Sequence, residues 1–168
     1  MMRKSLQILL ALFVLALLAV AAVYLLRPGH MPNQKKAPRS GETSASTQLI
    51  TKGEYLARAG DCVACHTVPN GPIFAGGRAM ATPFGNLYVP NITPDDDTGI
   101  GLWTPDEFYR MMHTGVSRDG TLLYPAMPFA SYTQVTRADS DAIFAYLMSV
   151  TPVRQTNRAH ELRFPFNN

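Results

Sequence analysis

The chain has 168 residues, of which 46% are hydrophobic, and this length suits one domain with an appendage rather than an enzyme with separate cofactor and substrate domains. The net charge of +3 is unevenly distributed: residues 1–48 contain six Lys or Arg against one Glu, a balance of +5, whereas residues 49–168 contain nine against eleven acids, a balance of −2. A mildly acidic domain without a basic stripe argues against nucleic-acid binding.

Residues 1–26 are predicted to be a membrane anchor or an export signal. After a short basic start, the apolar stretch Leu6–Leu26 would span about 31 Å as a helix, at about 1.5 Å per residue. This length matches a hydrocarbon core of roughly 30 Å and exceeds a signal core of roughly 7–15 residues. We therefore expect a single transmembrane helix in the bacterial inner membrane, with the remaining chain in the periplasm. A signal cleaved near Ala19–Ala22 is the alternative.

Residues 27–48 are predicted to be a flexible linker, and residues 49–168 to be the folded domain. The linker is rich in Pro, Ser, Thr and charged residues and shows no apolar periodicity. It would leave the domain mobile near the membrane surface.

Three capping boxes predict helices in the domain. In such a box a Thr side chain and an acid three residues later satisfy each other's backbone amides. The boxes are Thr51–Glu54, Thr104–Glu107 and Thr136–Asp139, and the predicted stops are Gly60, Gly115 and Thr151-Pro152. No strand pattern is sustained. Because about 40 loop residues separate the first two helices, an unusual length for a compact domain, we expect a mostly α-helical fold with a prosthetic group at its centre.

The segment Cys62-Val-Ala-Cys65-His66 is the haem-attachment pattern C-x-x-C-H. Two thiols three residues apart lie on one helical turn and add to the two vinyl groups of haem, while His66 binds the iron from below. The chain has two cysteines, too few for a structural zinc site or a disulfide scaffold. A redox-active dithiol is the alternative, but a thioredoxin-like protein needs a βαβ context that is absent.

Met127 is the predicted second axial ligand. It lies between Pro125 and Pro128, which stiffen an extended loop, and it follows His66 by 61 residues, enough chain to reach the opposite face of the haem. A methionine opposite a histidine raises the reduction potential. The other candidates are Met80, Met111, Met112, His113 and His160.

The order of several short segments resembles one protein family. The segments are Cys62–His66, Gly76-Gly77, Thr82–Gly85, Asn91–Asp95, Thr98–Gly101, Trp103, Tyr124–Tyr132 and His160–Phe166. Over residues 49–168 they resemble the cytochrome c subunits of membrane-bound bacterial alcohol, aldehyde and gluconate dehydrogenases. Members of the best-known type have three haem domains in tandem, so a single-haem carrier and a truncated multihaem subunit are both open for this chain.

The resemblance implies a class I cytochrome c fold around one covalent haem c. It implies electron transfer from a dehydrogenase toward quinone, another cytochrome or a terminal oxidase. Cys62 and Cys65 correspond to the attachment points, and His66 and Met127 to the axial ligands. Since no nucleophile, base or substrate pocket is evident, we expect an electron carrier rather than an enzyme. A haem-based sensor, which needs an open sixth position, is a further alternative.

Other residues have predicted supporting roles. Arg78 and Trp103 are candidates for contacts with the haem propionates. Asn91 and Thr93 are expected to fix a loop by bonds from side chain to backbone. The carbonyl of Pro69 or Pro72 is expected to orient His66 through its second ring nitrogen.

Overall fold

The computed structural model describes residues 2–25 and 46–167, so the predicted linker lies outside the described residues up to residue 45. Within these two ranges the chain forms six helices and three short strands. The helices are α1 (Met2–Leu25), α2 (Thr47–Ala59), α3 (Cys62–His66), α4 (Pro105–Thr114), α5 (Phe129–Tyr132) and α6 (Arg137–Ser149). The strands are β1 (Ala79–Thr82), β2 (Gly85–Tyr88) and β3 (Glu161–Leu162). The predicted mostly helical fold class is confirmed.

Helix α1 comprises 24 residues. Of its side chains, the structure describes those of residues 7, 10 and 12–22. Within the described residues, no helix combines the length and the apolar character that a membrane crossing requires. These residues therefore do not support the predicted transmembrane helix.

Helix α2 begins four residues before Thr51, so the predicted start at that residue is wrong. Ser46 is the N-cap, and its hydroxyl accepts the backbone amide of Leu49 at 3.3 Å. Thr51 lies inside the helix, where its hydroxyl donates to the Thr47 carbonyl at 2.9 Å. Ser and Thr are comparable N-caps, and the extra turn brings Ile50 against the hydrophobic core.

The other two capping boxes begin helices as predicted. Thr104 accepts the Glu107 amide at 3.2 Å, and the Glu107 carboxylate accepts the Thr104 amide at 2.8 Å. Thr136 accepts the Asp139 amide at 3.2 Å, although the Asp139 carboxylate accepts the Thr136 hydroxyl instead of its amide. Helix α4 ends at Gly115, whose φ of 67° is a conformation that glycine adopts without steric cost.

The sequence did not predict the small antiparallel sheet, which has the order β1-β2-β3. Strands β1 and β2 form a hairpin in which Thr82 pairs with Gly85. Strand β3 returns from the end of the chain and pairs with Gly85 and Asn86. Strands of two and four residues are too short to produce a recognisable alternation of apolar and polar residues.

Helices α2, α4 and α6 enclose the core, and α2 crosses α6 at close range. Gly53 of α2 permits this approach, because a Cβ atom there would lie 1.9 Å from the Ala142 carbonyl oxygen and 2.8 Å from the Tyr146 Cβ. Ala57, one turn further along α2, is fully buried. Small residues at both positions therefore set the distance between the two helices.

We expect Gly53→Ala to lower the free energy of unfolding by about 1–3 kcal/mol, because the added methyl forces α2 away from α6. Chemical denaturation of the haem-loaded protein, followed by circular dichroism, measures this change. Thr51→Ala is the control, since Thr51 lies on the exposed side of the same helix. Equal unfolding midpoints for the two variants would contradict the close crossing.

Candidate functional site

The C-x-x-C-H segment forms the short helix α3 directly after a sharp turn. Asp61 makes the turn with a φ of 60°, and its carbonyl accepts the Cys65 amide at 3.3 Å. Cys62 and Cys65 are both free and half-buried. Residues three apart on a helix are neighbours on its surface, so the two thiols lie side by side and His66 directly follows them.

The Pro90 carbonyl orients His66, which makes the predictions of Pro69 and Pro72 wrong. Nδ1 of His66 lies 2.8 Å from the Pro90 oxygen. Because a carbonyl only accepts, Nδ1 holds the hydrogen and Nε2 keeps its lone pair. Burial lowers the pKa of His66, against the opposing effect of the Pro90 hydrogen bond. The neutral ring that results is the form that binds a metal through Nε2.

Gly76 allows the Pro90 carbonyl to approach α3. Its amide donates to the His66 carbonyl at 2.8 Å, and a Cβ on Gly76 would lie 2.4 Å from the Pro90 carbonyl carbon. Gly77 shares the positive φ, 83° against 73°, but a Cβ there would meet no atom closer than 3.7 Å. A side chain at either glycine would strain the backbone, but only one at Gly76 would also collide with a neighbouring segment. Substitutions at the two positions therefore distinguish the two effects.

We expect Gly76→Ala to destabilise the protein by about 1–3 kcal/mol more than Gly77→Ala, because it displaces Pro90 as well as straining the backbone. The displaced carbonyl releases His66, so the reduction potential should also change in Gly76→Ala alone. Denaturation and redox titration of the haem-loaded variants measure both effects. If the two variants behave alike, the contact between Gly76 and Pro90 does not position His66.

A buried polar network fixes the chain next to Pro90, which confirms the roles expected of Asn91 and Thr93. The Asn91 side-chain oxygen accepts the amide and hydroxyl of Thr93 at 2.9 and 2.8 Å. Its amide group donates to the Val153 carbonyl at 2.7 Å and to the Thr98 hydroxyl at 3.0 Å. Both Asn91 and Thr93 are almost fully buried. The loop that supplies the carbonyl partner of His66 is thereby tied to the segment that follows α6.

Met127 lies in the turn before α5 and faces the core. Its amide donates to the Tyr124 carbonyl at 3.0 Å, and its carbonyl accepts the Phe129 amide at 2.8 Å. Its side chain is half-buried and packs against the main hydrophobic cluster. A methionine that binds a buried iron must face the core, as Met127 does. The assignment of Met127 as the ligand stays a prediction.

The other ligand candidates have partners of their own. Nδ1 and Nε2 of His113 each lie 2.9 Å from a backbone carbonyl oxygen, of Tyr109 and Val135 respectively. Nδ1 of His160 accepts the Tyr88 amide at 3.1 Å. Met111 and Met112 are buried core residues of α4. Met80 lies in β1 and pairs with Leu87 across the hairpin.

The structure places Arg78 beside α3 and Trp103 against the core. Nη1 of Arg78 donates to the Ala64 carbonyl at 2.8 Å, inside the C-x-x-C-H segment. The Trp103 side chain is half-buried and packs on the hydrophobic cluster. Arg78 is therefore near the attachment helix, while the propionate contacts of both residues stay predictions.

An apolar cavity of about 230 Å³ adjoins Cys62. Its other lining residues are Leu56, Ala59, Gly60, Met112, Tyr132, Val135, Asp139 and Ile143. Burial raises the pKa of Cys62 to about 11, which opposes the thiolate that a redox-active dithiol requires. Two adjacent thiols, one of which lines an apolar cavity, and an imidazole whose Nδ1 is held by a carbonyl while Nε2 keeps its lone pair are the groups that covalent haem requires.

Comparison with known proteins identifies relatives that are subunits of dehydrogenases. No protein-family profile matches the chain. The chain is 54% identical over 127 residues to a nicotinate dehydrogenase subunit of Pseudomonas putida, covering 76% of the chain and 11% of that protein. It is 49% identical over 127 residues to the gluconate 2-dehydrogenase cytochrome c subunit of Pantoea cypripedii, covering 75% of the chain and 29% of that protein.

A further relative aligns with nearly the whole chain. The diheme cytochrome c-type protein of Cereibacter sphaeroides is 34% identical over 171 aligned positions, covering 99% of the chain and 55% of that protein. The chain spans less than a third of the length of the first two relatives. The relatives confirm the predicted resemblance to cytochrome c subunits of dehydrogenases.

Proposed function

We propose, on the premise that the chain is homologous to cytochrome c subunits of bacterial dehydrogenases, that it is a single-haem cytochrome c that carries electrons away from a partner dehydrogenase. The acceptor would be quinone, another cytochrome or a terminal oxidase. The observation that supports this most directly is the C-x-x-C-H helix with Nδ1 of His66 bonded to the Pro90 carbonyl at 2.8 Å.

Each site residue has a defined role in this proposal. Cys62 and Cys65 hold haem c through two thioethers, each formed when an S–H group adds across a vinyl double bond. His66 and Met127 would hold the iron, and Arg78 and Trp103 would contact the propionates. When bound, the haem supplies a one-electron carrier whose iron alternates between the ferric and ferrous states. Two successive transfers are then needed for each two-electron oxidation by the partner.

The protein would contribute the identity and the orientation of the ligands. The hydrogen bond from His66 to Pro90 fixes the ring and makes Nε2 a better donor. The Met127 thioether favours the reduced iron and raises the potential. The single C-x-x-C-H segment among these 168 residues would hold one haem.

The two alternative functions, a dithiol oxidoreductase and a haem-based gas sensor, differ from an electron carrier in their spectra and reactions. A dithiol oxidoreductase would reduce a disulfide substrate and contain no pigment, and the raised pKa of Cys62 opposes it. A gas sensor would bind carbon monoxide readily in the reduced state, because its sixth position is open.

A redox titration of the purified full-length protein tests the electron-carrier proposal. We expect a reversible change in visible absorption with dithionite and ferricyanide, with a slope of about 59 mV per tenfold change for one electron. The reduced protein should not bind carbon monoxide at neutral pH. Reduction of insulin disulfides without a haem spectrum would instead establish the dithiol function, and ready binding of carbon monoxide would establish the sensor.

We further propose that residues 1–26 anchor the protein in the bacterial inner membrane, with the haem domain in the periplasm. The proposal is supported by the sequence alone, through the length and composition of the apolar run Leu6–Leu26. A helix of this length would match the thickness of a membrane's hydrocarbon core.

Cell fractionation tests the anchor. The full-length protein should remain in the membrane fraction after a high-salt wash, whereas a variant whose residues 1–26 are replaced by a cleavable export signal should appear in the soluble periplasm with its haem. Full-length protein in the soluble fraction would contradict the anchor without affecting the electron-carrier proposal.

A further inference from the structure

A hydrogen bond ties the segment after Met127 to the turn before Cys62. The Tyr132 hydroxyl donates to the Gly60 carbonyl at 2.6 Å, across 72 residues of sequence. Gly60 is the C-cap of α2 and lies two residues before the first thiol. One side chain therefore connects the loop of the predicted sixth ligand to the site of haem attachment.

The local environment favours this bond. Tyr132 is half-buried and lines the apolar cavity beside Cys62. A tyrosine hydroxyl is protonated at neutral pH, and because the Gly60 carbonyl can only accept, the hydroxyl is the donor. A hydrogen bond between a phenol and a carbonyl is stronger where water is scarce, and losing the donor leaves a carbonyl that must find water.

The Met127 loop, residues 123–128, is held by one hydrogen bond at its start and another after its end. On the preceding side, the Leu123 amide donates to the Gly115 carbonyl at 2.7 Å, which holds the loop to the end of α4. On the following side, helix α5 is a single turn that ends at Tyr132. Tyr132 thus follows Met127 by five positions, and its bond to Gly60 reaches the turn between α2 and α3.

From this geometry we infer that Tyr132 is a positioning residue for Met127. Its bond to Gly60 fixes the Met127 loop relative to the C-x-x-C-H helix and so holds the thioether at the iron. The inference rests on the proposed function, since it requires Met127 to be the sixth ligand. Without the hydroxyl the loop moves more freely, and an external ligand competes more effectively for the iron.

Imidazole binding to the ferric, haem-loaded full-length protein tests the inference. Tyr132→Phe removes the hydroxyl and keeps the ring, and we expect it to bind imidazole about 3- to 10-fold more tightly than wild type, the range that loss of one hydrogen bond allows. Tyr55→Phe is the matched control, because Tyr55 is 71% exposed on α2; its affinity should equal that of wild type. The visible spectrum reports both replacement of the thioether and retention of haem.

A third variant, Met127→Ala, distinguishes a wrong ligand assignment from a wrong positioning role for Tyr132. If Met127→Ala binds imidazole much more tightly than wild type but Tyr132→Phe does not, Met127 is the ligand and the positioning role of Tyr132 is overturned. If Met127→Ala binds imidazole like wild type, the ligand assignment fails and the inference fails with it. An equal gain in Tyr132→Phe and Tyr55→Phe would also overturn the inference, because the effect would then not arise from the bond to Gly60.

Discussion

Wild-type protein denatured in acid is expected to keep its pigment on the polypeptide, whereas the double variant Cys62→Ser, Cys65→Ser is expected to lose it completely. Thioether bonds survive unfolding, but the bond between His66 and iron depends on the folded chain. Serine does not add to a vinyl group under these conditions, so the double variant has no covalent link. Mass spectrometry of the denatured chains and absorption of the separated pigment measure the difference.

The control for this experiment lies inside the same segment. Ala64 is exposed between the two cysteines, so Ala64→Ser changes the segment without touching a thiol and should retain one haem. Each single cysteine variant keeps one possible thioether and should retain haem in reduced yield. A wild-type mass equal to that of the amino acids alone would contradict the haem site, and a mass with two haems would contradict the single-haem proposal.

Local chemistry explains why part of the fold and site was predictable. The C-x-x-C-H segment spans five residues, and its proposed role depends on spacing that the sequence displays directly. The starts of α4 and α6 depend on side chains within one turn of Thr104 and Thr136. The start of α2 was ambiguous because Ser46 and Thr51 are both suitable caps, and only packing of the additional turn decides between them.

Tertiary contacts explain what the sequence did not reveal. Pro90 lies 24 residues after His66, and its position depends on the hairpin of β1 and β2 folding back toward α3. Nothing local distinguishes its carbonyl from those of Pro69 and Pro72, which are closer in sequence. The bond between Tyr132 and Gly60 is more remote still, since it spans 72 residues of the chain. Glycines provided the available signal, since Gly76 indicates a close backbone approach without identifying its partner.

Met127→Ala is expected to open the sixth coordination position and lower the reduction potential by on the order of 0.1–0.3 V, a fraction of the roughly 0.8 V that axial ligands span. The thioether stabilises the ferrous state, so a water molecule or an open position in its place favours the ferric state. The reduced variant should bind carbon monoxide at concentrations at which wild type does not. Potentiometric titration and absorption spectra under carbon monoxide measure both effects.

Met80→Ala is the matched control, because it removes an equal side chain from β1 that pairs with Leu87 in the hairpin. It should keep the wild-type potential and resist carbon monoxide. Since Met127 also packs against the core, a loss of stability in Met127→Ala does not by itself identify a ligand. The decisive observation is the combination of lowered potential and carbon monoxide binding in Met127→Ala alone. If Met80→Ala shows that combination and Met127→Ala does not, the ligand lies in the β hairpin and the loop before α5 has another role.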